Sequence, residues 1–315
     1  GQADKKGPVK SVGNEGKGEI DATTNEFTYV TGNIEFSEIR WENKLANVTL
    51  TNNTANAMEY KIIPKGTEVD LGGTWQTASN KTQTVGNLKA GDIILARLND
   101  GVNTTGYATL TIQDTINPSI EVKISNEQWT NTSVTITINA TDNESGLQEQ
   151  AYSFDGGTNW QAENTKTYEQ NTAGIVIKVR DEAGNVTTYN TINITNIDKD
   201  GPTMNVETDT TSNSLTVNIT SVTDAGIGLE DTPTFVYYIA TSSEALETTI
   251  GATSTEKTKQ YTDLTQNTTY YLKVEVQDKL GNVTTVYKTV STGSLDASSG
   301  DVNITDPEWT NGKAS

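Results

Sequence analysis

The chain has 315 residues, with 41 acidic side chains against 22 basic ones and a formal net charge of −19 at pH 7. So acidic a surface repels phosphate backbones and anionic lipid, which excludes nucleic acid and membrane surfaces as expected partners. Cysteine and histidine are both absent, which excludes disulfides, thiolate and imidazole metal sites, and Ser-His-Asp catalysis.

The amino-terminal part of the chain leads into a first module of short strands. Residues 1–7 are polar and lack periodicity, which predicts a linker or a frayed first strand. Residues 8–115 contain short alternating segments separated by Gly-, Asn- and Asp-rich turns at roughly 8–12-residue spacing, the pattern of a β-sandwich. Its early half matches the later modules least well, so we predict a degenerate sandwich here. No apolar run is long enough to span a bilayer, and we expect no membrane insertion.

A strand–turn–strand pattern recurs along the chain. Ile175, Ile177 and Val179 alternate with polar residues, residues 181–185 form a Gly- and Asn-containing turn, and a second alternating stretch follows. Such alternation predicts a half-buried antiparallel hairpin. Much the same pattern returns at residues 272–286, and in weaker form at 93–103. Three copies predict three modules of similar size.

The second module, residues 116–198, resembles the bacterial immunoglobulin-like repeats of surface-anchored and secreted proteins. The resemblance lies in Tyr-Ser-Phe-Asp-Gly-Gly-Thr-Asn-Trp at 152–160 and Val-Arg-Asp-Glu-Ala-Gly-Asn at 179–185. The first module carries the same pattern in degraded form. Residues 301–315 mirror the opening of the second module, which predicts the first strand of a further immunoglobulin-like module.

The third module, residues 201–293, is similar to the fibronectin type III consensus. Leu264, Thr268, Tyr270 and Val274 stand at the matching spacing. This resemblance implies that Tyr270 sits at a corner and that its hydroxyl returns to upstream backbone. Ile219 stands where the family usually carries a tryptophan on its second strand. The expected fold is therefore all-β, with tandem immunoglobulin-like and fibronectin type III-like β-sandwiches in an extended array.

Acidic residues concentrate at the predicted module joints. In an immunoglobulin-like sandwich, the incoming linker, the loop after the second strand and the last hairpin loop meet at one end. Oxygen ligands converging from three loops suit the six to eight contacts of Ca²⁺, so an interdomain Ca²⁺ site at each joint is one hypothesis. The candidate ligands are Asp114, Asn117, Asp142, Glu144 and Asp181 at one joint, and Asp198, Asp200, Asp224 and Asp278 at the other, with the amides Asn185 and Asn282 beside them. The other interpretation is that each aspartate only caps its own turn by accepting backbone N–H bonds. The sequence favours this second interpretation, because it contains no contiguous Asp-x-Asp-x-Asp-Gly calcium loop.

The five tryptophans allow two interpretations. Aromatic faces stack on sugar rings, whereas repetition at equivalent module positions favours packing in cores or at strand ends. We expect core packing for Trp41, Trp75, Trp129, Trp160 and Trp309.

The functional expectation is a non-catalytic segment. No pair of carboxylates stands out as a buried acid and base. The resemblance to exported bacterial modules, together with the lack of cysteine, implies an extracellular location, either at the cell surface or secreted. We predict a stalk or adhesive part of a surface protein or filamentous appendage. Its expected partners are other copies of the chain, other surface proteins, or a host or polysaccharide ligand. The alternative is a spacer or carbohydrate-binding region of a larger secreted glycan-active enzyme.

Overall fold

A computed structural model describes residues 19–20, 27–28, 32–294, 309–310 and 313–314. Within these residues the chain divides into two compact units. One holds the described residues up to Ser125 together with Thr135–Tyr168 and Thr172–Asn193. The other holds Asn126–Val134, Glu169–Asn171 and the described residues from Ile194 onward. The predicted linker 1–7, the opening of the first module at 8–18 and residues 301–308 of the predicted further module lie outside the described residues.

Two short hairpins flank the main body of the described chain. Strands β1 (Glu19–Ile20) and β2 (Phe27–Thr28) pair antiparallel near the amino terminus. The corresponding pair near the carboxyl terminus is formed by the last two strands, Trp309–Thr310 and Lys313–Ala314.

The first β-sandwich has two antiparallel sheets. Its strands are β3 (Ile34–Phe36), β4 (Arg40–Glu42), β5 (Leu45–Asn52), β6 (Ala57–Ile63), β7 (Gln76–Thr77), β8 (Thr82–Leu88), β9 (Ile93–Asn99) and β10 (Thr104–Thr111). One sheet has the order β3-β5-β4 with β8 also paired to β5, and the other has the order β10-β9-β6-β7. Along β5 buried and half-buried residues alternate, as a strand with one face on a core requires. Ile34, Leu50, Ile94 and Leu98 lie fully buried in this core.

The second β-sandwich is assembled from shorter strands. They are β11 (Ser119–Ile124), β12 (Val134–Thr141), β13 (Leu147–Ser153), β14 (Thr165–Tyr168), β15 (Thr172–Ile175), β16 (Lys178–Asp181), β17 (Val186–Thr188) and β18 (Ile192–Ile194). The sheet orders are β11-β12-β14, β13-β16-β17 and β15-β18. The predicted alternation in β12 places Ile136 and Ile138 wholly inside the sandwich, with threonines between them on the outer face.

The third β-sandwich pairs a three-stranded sheet with a four-stranded one. Its elements are β19 (Thr203–Thr210), β20 (Leu215–Thr223), β21 (Phe235–Ala240), α1 (Ser243–Thr248), β22 (Ala252–Ser254), β23 (Thr258–Tyr261), β24 (Thr269–Gln277) and β25 (Val283–Ser291). The sheet orders are β19-β20-β23 and β22-β21-β24-β25. The remaining two strands, noted above, are β26 (Trp309–Thr310) and β27 (Lys313–Ala314). Among the described residues, no helix has the length and apolar character needed to cross a bilayer.

The predicted corner of the third sandwich is confirmed. The hydroxyl of Tyr270 accepts a hydrogen bond of 2.9 Å from the backbone N–H of Thr265, and the ring is buried. Ile219, at the position of the family tryptophan, is also buried in this core. The all-β prediction is confirmed as well, since the regular secondary structure of the described chain is almost wholly strand, arranged in tandem antiparallel sandwiches.

The hairpin predicted around residues 175–194 is only partly correct. Ile175, Ile177 and Val179 are all buried as expected. The strand itself is interrupted, however, because β15 ends at Ile175 and pairs with β18, whereas β16 pairs with β13 and β17. Side chains from either sheet of a sandwich face the same core. Alternation therefore predicts burial here, yet it does not tell which sheet each part of the segment joins.

Candidate metal centres at the two joints

The first acidic cluster consists of Asp114, Asp142 and Asp181. Asp114 lies beyond β10 in the segment that enters the second sandwich, Asp142 directly follows β12, and Asp181 is the last residue of β16. One carboxylate oxygen of each residue lies within 4.8 Å of one from each of the others. The three predicted loops therefore do converge, and the first cluster could present three oxygens to one cation.

Burial makes the first cluster electrostatically costly. Asp114 and Asp181 are buried, and Asp142 is half-buried. Oδ1 of Asp142 accepts a 2.7 Å hydrogen bond from the N–H of Gly146, but its Oδ2 is shut off from solvent without a hydrogen-bond partner in the described chain. Desolvation, followed by the nearby charges of Asp114 and Asp181, raises the pKa of Asp142 above its usual 3.8. A buried oxygen without a donor beside two further carboxylates is an arrangement that a cation would satisfy.

Hydrogen bonds from neutral side chains hold the first cluster together. The side-chain amide of Asn185 donates to the Asp114 carbonyl at 3.0 Å and to Oδ2 of Asp181 at 2.7 Å. The hydroxyl of Thr187 donates to the Pro118 carbonyl at 2.5 Å. We call Asn185 and Thr187 the first latch, since they tie the last hairpin of the second sandwich to the segment that enters it.

The second acidic cluster consists of Asp198, Asp224 and Asp278, again within 4.8 Å of one another. Asp198 and Asp278 are buried, and Asp224 is half-buried. Oδ2 of Asp224 accepts hydrogen bonds from the N–H groups of Gly226 and Gly228, at 3.1 and 2.6 Å. Its position after β20 matches that of Asp142 after β12, so the same three loops form both clusters.

A second latch, Asn282 and Thr284, repeats the first. The Asn282 amide donates to the Asp198 carbonyl at 3.1 Å and to Oδ2 of Asp278 at 2.7 Å. Thr284 donates to the Pro202 carbonyl at 2.5 Å. The spacing from aspartate to asparagine to threonine is the same in both latches. The two joints are therefore built to one plan.

Both sequence interpretations of the aspartates describe part of the geometry. Oδ1 of Asp181 accepts the N–H of Asn185 at 2.7 Å, and Oδ1 of Asp278 accepts the N–H of Asn282 at 2.8 Å. These are the turn-capping bonds of the alternative interpretation. The same carboxylates also converge with those of the neighbouring loops, which turn capping does not require.

Several residues proposed as ligands have other positions or roles. Glu144 and Asp200 are not part of the two clusters, and Asn117 is exposed. The backbone N–H of Asp200 donates to Oδ1 of Asp198 at 3.3 Å. Asn185 and Asn282 point their amide N–H groups at the joint, so they act there as donors. The Asn-x-Thr spacing was visible in the sequence, but its use as a latch was missed.

Core packing was expected for all five tryptophans, and this prediction is wrong for Trp75, Trp129 and Trp160. Trp75 and Trp160 are half-buried, and each ring is covered by a guanidinium group, that of Arg97 at 4.0 Å and that of Arg180 at 4.2 Å. These are cation–π pairs. Trp129 is 40% exposed. Trp41 packs against the first core from its edge, and the side chain of Trp309 lies outside the described residues.

Comparisons with known proteins give two solved structures of low sequence identity and low TM-score. No family model matches the sequence, and no curated protein matches it. The crystal structure of the FN1–FN3 domains of chicken CNTN1 is 16% identical, covers 83% of this chain and 99% of its own, and has a TM-score of 0.23. A crystal structure of a segment of titin domains is 14% identical, with coverage of 83% and 99% and a TM-score of 0.28. The fold described above therefore rests on the strand order and registers of this chain.

Proposed function

We propose that the chain is a non-catalytic stalk or adhesive segment of an exported bacterial surface protein, and that Ca²⁺ binds at its two joints. The observation that carries this proposal is the repetition of one carboxylate triad and one latch at successive joints. A single acidic turn is common by chance. Two triads formed by equivalent loops, each beside a latch of the same spacing, instead favour the same role at each joint.

Calcium suits the chemistry of both clusters. Carboxylate and carbonyl oxygens are its preferred ligands, and six to eight of them are needed. Each triad would supply three carboxylates, and water would supply further positions. A bound cation would offset the repulsion among buried carboxylates, and in the first cluster it would give Oδ2 of Asp142 the partner that it lacks.

Modular construction suits a stalk that extends a surface protein away from the cell. Tandem sandwiches extend reach by repetition and need no new chemistry for each added module. Latched entry segments would restrict bending where one module follows another, and a cation in each triad would restrict it further. The resemblance of residues 152–160 and 179–185 to bacterial immunoglobulin-like repeats supports the exported location. Other copies of the chain, other surface proteins, and host or polysaccharide ligands remain the proposed partners.

Thermal melting in Ca²⁺ and in chelator tests the cation sites. Extracellular calcium modules have dissociation constants of about 10⁻⁴–10⁻³ M. At about 10 mM Ca²⁺, linkage then predicts stabilisation on the order of 1.4–2.7 kcal/mol per site. We expect higher melting midpoints in Ca²⁺. Asp142→Asn should abolish the rise for the first unit, and Asp224→Asn should abolish it for the second.

Matched controls lie beside each cluster. Glu144→Gln and Asp200→Asn remove a negative charge near the same loops without touching the triads, so both variants should keep the full response. Equal midpoints of the unaltered chain in Ca²⁺ and in chelator would overturn the proposal for the cation. Small-angle scattering under the two conditions would then test the stalk role separately, since a stiff segment keeps its maximum dimension.

A further inference from the structure

We propose that a basic cavity in the first unit binds a sugar residue that carries a single carboxylate. The cavity has a volume of about 330 Å³, and its lining contains three basic residues, Lys44, Lys65 and Lys89, one acidic residue, Glu182, and the apolar residues Leu45, Ala90 and Leu147. Three lysines therefore line one cavity, against a single glutamate, in a chain whose acidic residues outnumber its basic ones almost two to one. Ser145, which donates hydrogen bonds to Asp114, also lines the cavity, so the cavity borders the first acidic cluster. The proposal for the saccharide does not depend on the proposed cation.

A buried carboxylate fixes the backbone of two of the lysines. Asp92 is 8% exposed. Its Oδ1 accepts the backbone N–H of Lys65 at 2.9 Å, and its Oδ2 accepts that of Lys89 at 2.8 Å. One side chain thus joins the segment after β6 to the segment after β8, so the two lysines are held at the cavity by the fold.

The third lysine occupies a backbone conformation that lysine rarely adopts. Asn43 and Lys44 form the two-residue turn between β4 and β5, with φ angles of 51° and 68°. Turns with two positive φ angles favour glycine at the second position, because a side chain there is strained. Strain that persists in a fold often marks a functional position. Here it places an ammonium group at the cavity.

Two glycines leave room for the lysine stems. A Cβ at Gly146 would lie 2.6 Å from Cδ of Lys44, and a Cβ at Gly91 would lie 2.7 Å from Cδ of Lys65. Both glycines have positive φ angles, +81° and +93°. The aliphatic stems therefore lie directly against backbone, which limits where the ammonium groups can go.

The three charges are available to a ligand. Within the described chain, the only polar contact of these ammonium groups is the 3.3 Å hydrogen bond from Nζ of Lys65 to the Glu182 carbonyl. Lysine ammonium groups act as point charges, which suit an anion without requiring a bidentate geometry. The volume lies at the lower end of the range for small-molecule sites, and it suits one or two sugar rings better than a folded partner.

The negative net charge of the chain disfavours highly charged anions as ligands of this cavity. A net charge of −19 repels a long polyanion on approach, whereas a ligand with one carboxylate meets little of that repulsion. Leu45, Ala90 and Leu147 supply apolar surface against which the C–H face of a sugar ring can pack. An acidic saccharide with isolated carboxylates, such as one ending in a uronic acid, fits these requirements better than a sulfated or phosphorylated polymer.

Isothermal titration calorimetry with digalacturonic acid tests the site, using the whole chain in chelator at low salt. We expect measurable binding that weakens as salt is added, and no binding of the neutral disaccharide galactobiose. Lys65→Gln and Lys89→Gln should each weaken binding at least about tenfold. Lys81→Gln, an exposed lysine of the same unit outside the cavity, should leave the affinity unchanged.

The Lys44→Gly variant separates binding from folding. Glycine relieves the positive-φ strain, so the melting midpoint should equal or exceed that of the unaltered chain, while affinity falls at least about tenfold. Equal loss of affinity in Lys81→Gln would overturn the proposal, as would unchanged affinity in a folded Lys44→Gly variant. Tighter binding of a tri-glutamate peptide than of digalacturonic acid would overturn the saccharide class.

Discussion

The two joints share one geometry but reach it with different supporting side chains. In the first, Oδ2 of Asp114 accepts both the N–H of Ser145 at 3.1 Å and its hydroxyl at 2.5 Å. In the second, Oδ2 of Asp198 accepts the N–H of Ile227 at 2.9 Å and no hydroxyl of the described residues. The backbone bond is common to both joints, and the hydroxyl bond is an addition. The shared plan therefore consists of carboxylates, backbone donors and latches.

A second difference lies two residues before the glycine that ends each loop. The first joint has Glu144 at this position, and the second has Gly226. A Cβ added at Gly226 would collide with the carboxylate of Asp198. Asp198 lies so close to the loop at the second joint that no side chain fits there. Close packing against Gly226 therefore restricts Asp198 at the second joint, whereas two hydrogen bonds from Ser145 fix Asp114 at the first joint.

Removing the latches should have the largest effect and should affect the two joints equally. Asn185→Ala and Asn282→Ala each delete an amide that bridges a backbone carbonyl and a carboxylate. Hydrogen bonds to charged groups contribute about 1.5–3 kcal/mol, so we expect a loss of about 2–3 kcal/mol in the affected unit. Scanning calorimetry would measure it.

The controls for the latch variants are asparagines outside the latches. Asn143 is exposed in the loop of the first cluster, and Asn205 is exposed and donates to the hydroxyl of Ser221. Their alanine variants should change stability by less than about 0.5 kcal/mol. If one latch variant lost no more stability than its control, the asparagines at the two joints would not have the same role.

A methyl group at position 226 should disturb the second joint alone. Gly226→Ala must displace the Asp198 carboxylate, and overpacking of this kind costs about 1–3 kcal/mol. The matching change at the first joint, Glu144→Ala, should stay within about 0.5 kcal/mol. Calorimetry of both variants compares them directly. If Gly226→Ala left the stability of the second unit unchanged, Asp198 would have space to move, contrary to its close approach to Gly226.

The sequence predicted which loops meet but could not predict how they are joined. Asp114, Asp142 and Asp181 were identified from turn chemistry and from the general layout of a sandwich, and they do converge. Which polar atoms face inward depends on side-chain rotamers. Asn185 was therefore placed correctly at the joint, while its role as a donor was not foreseen.

Hydrophobic alternation predicted which residues are buried but not which sheet each strand joins. Burial of Ile175, Ile177 and Val179 followed from alternation, but the division of that segment between two sheets did not. The tryptophans show the same limit, since repetition of Trp75 and Trp160 indicated equivalent positions without revealing Arg97 and Arg180 above their rings. The strained φ of Lys44 has no local sequence signal, because lysine is ordinary in exposed turns.

Removing the extra hydroxyl should weaken the first joint modestly. Ser145→Ala deletes the bond from the hydroxyl to Asp114 and leaves the backbone bond in place. A hydrogen bond to a charged group contributes about 1.5–3 kcal/mol, and we expect the lower end because the N–H of Ser145 still binds the same oxygen. The first unit should therefore melt slightly earlier. Ile227→Ala, its counterpart, removes no hydrogen bond to Asp198, and its calcium response should be unchanged. A Ser145→Ala variant as stable as the unaltered chain would show that the hydroxyl bond adds nothing to the first joint.

Acidification should produce the smallest effect, and it should depend on Asp142. Burial, then the charges of Asp114 and Asp181, raises the pKa of Asp142 above 3.8, so ionisation of this group disfavours the folded state. Its protonation therefore contributes stability that is fully present below pH 3.8 and is lost as pH rises through the raised pKa. In chelator, the midpoint of the unaltered chain should rise relative to Asp142→Asn as pH falls from 7 towards 4.

Acidification should weaken the stabilisation by Ca²⁺, because protons and the cation compete for the same carboxylate oxygens. The Ca²⁺-induced rise in midpoint should shrink over the same interval, and only where Asp142 is present. Subtracting the Asp142→Asn melting curves at each pH cancels the titration of the other carboxylates. A difference that stays constant from pH 7 to 4 in chelator would mean that water reaches Oδ2 of Asp142. The first joint would then lose its strongest reason to bind a cation.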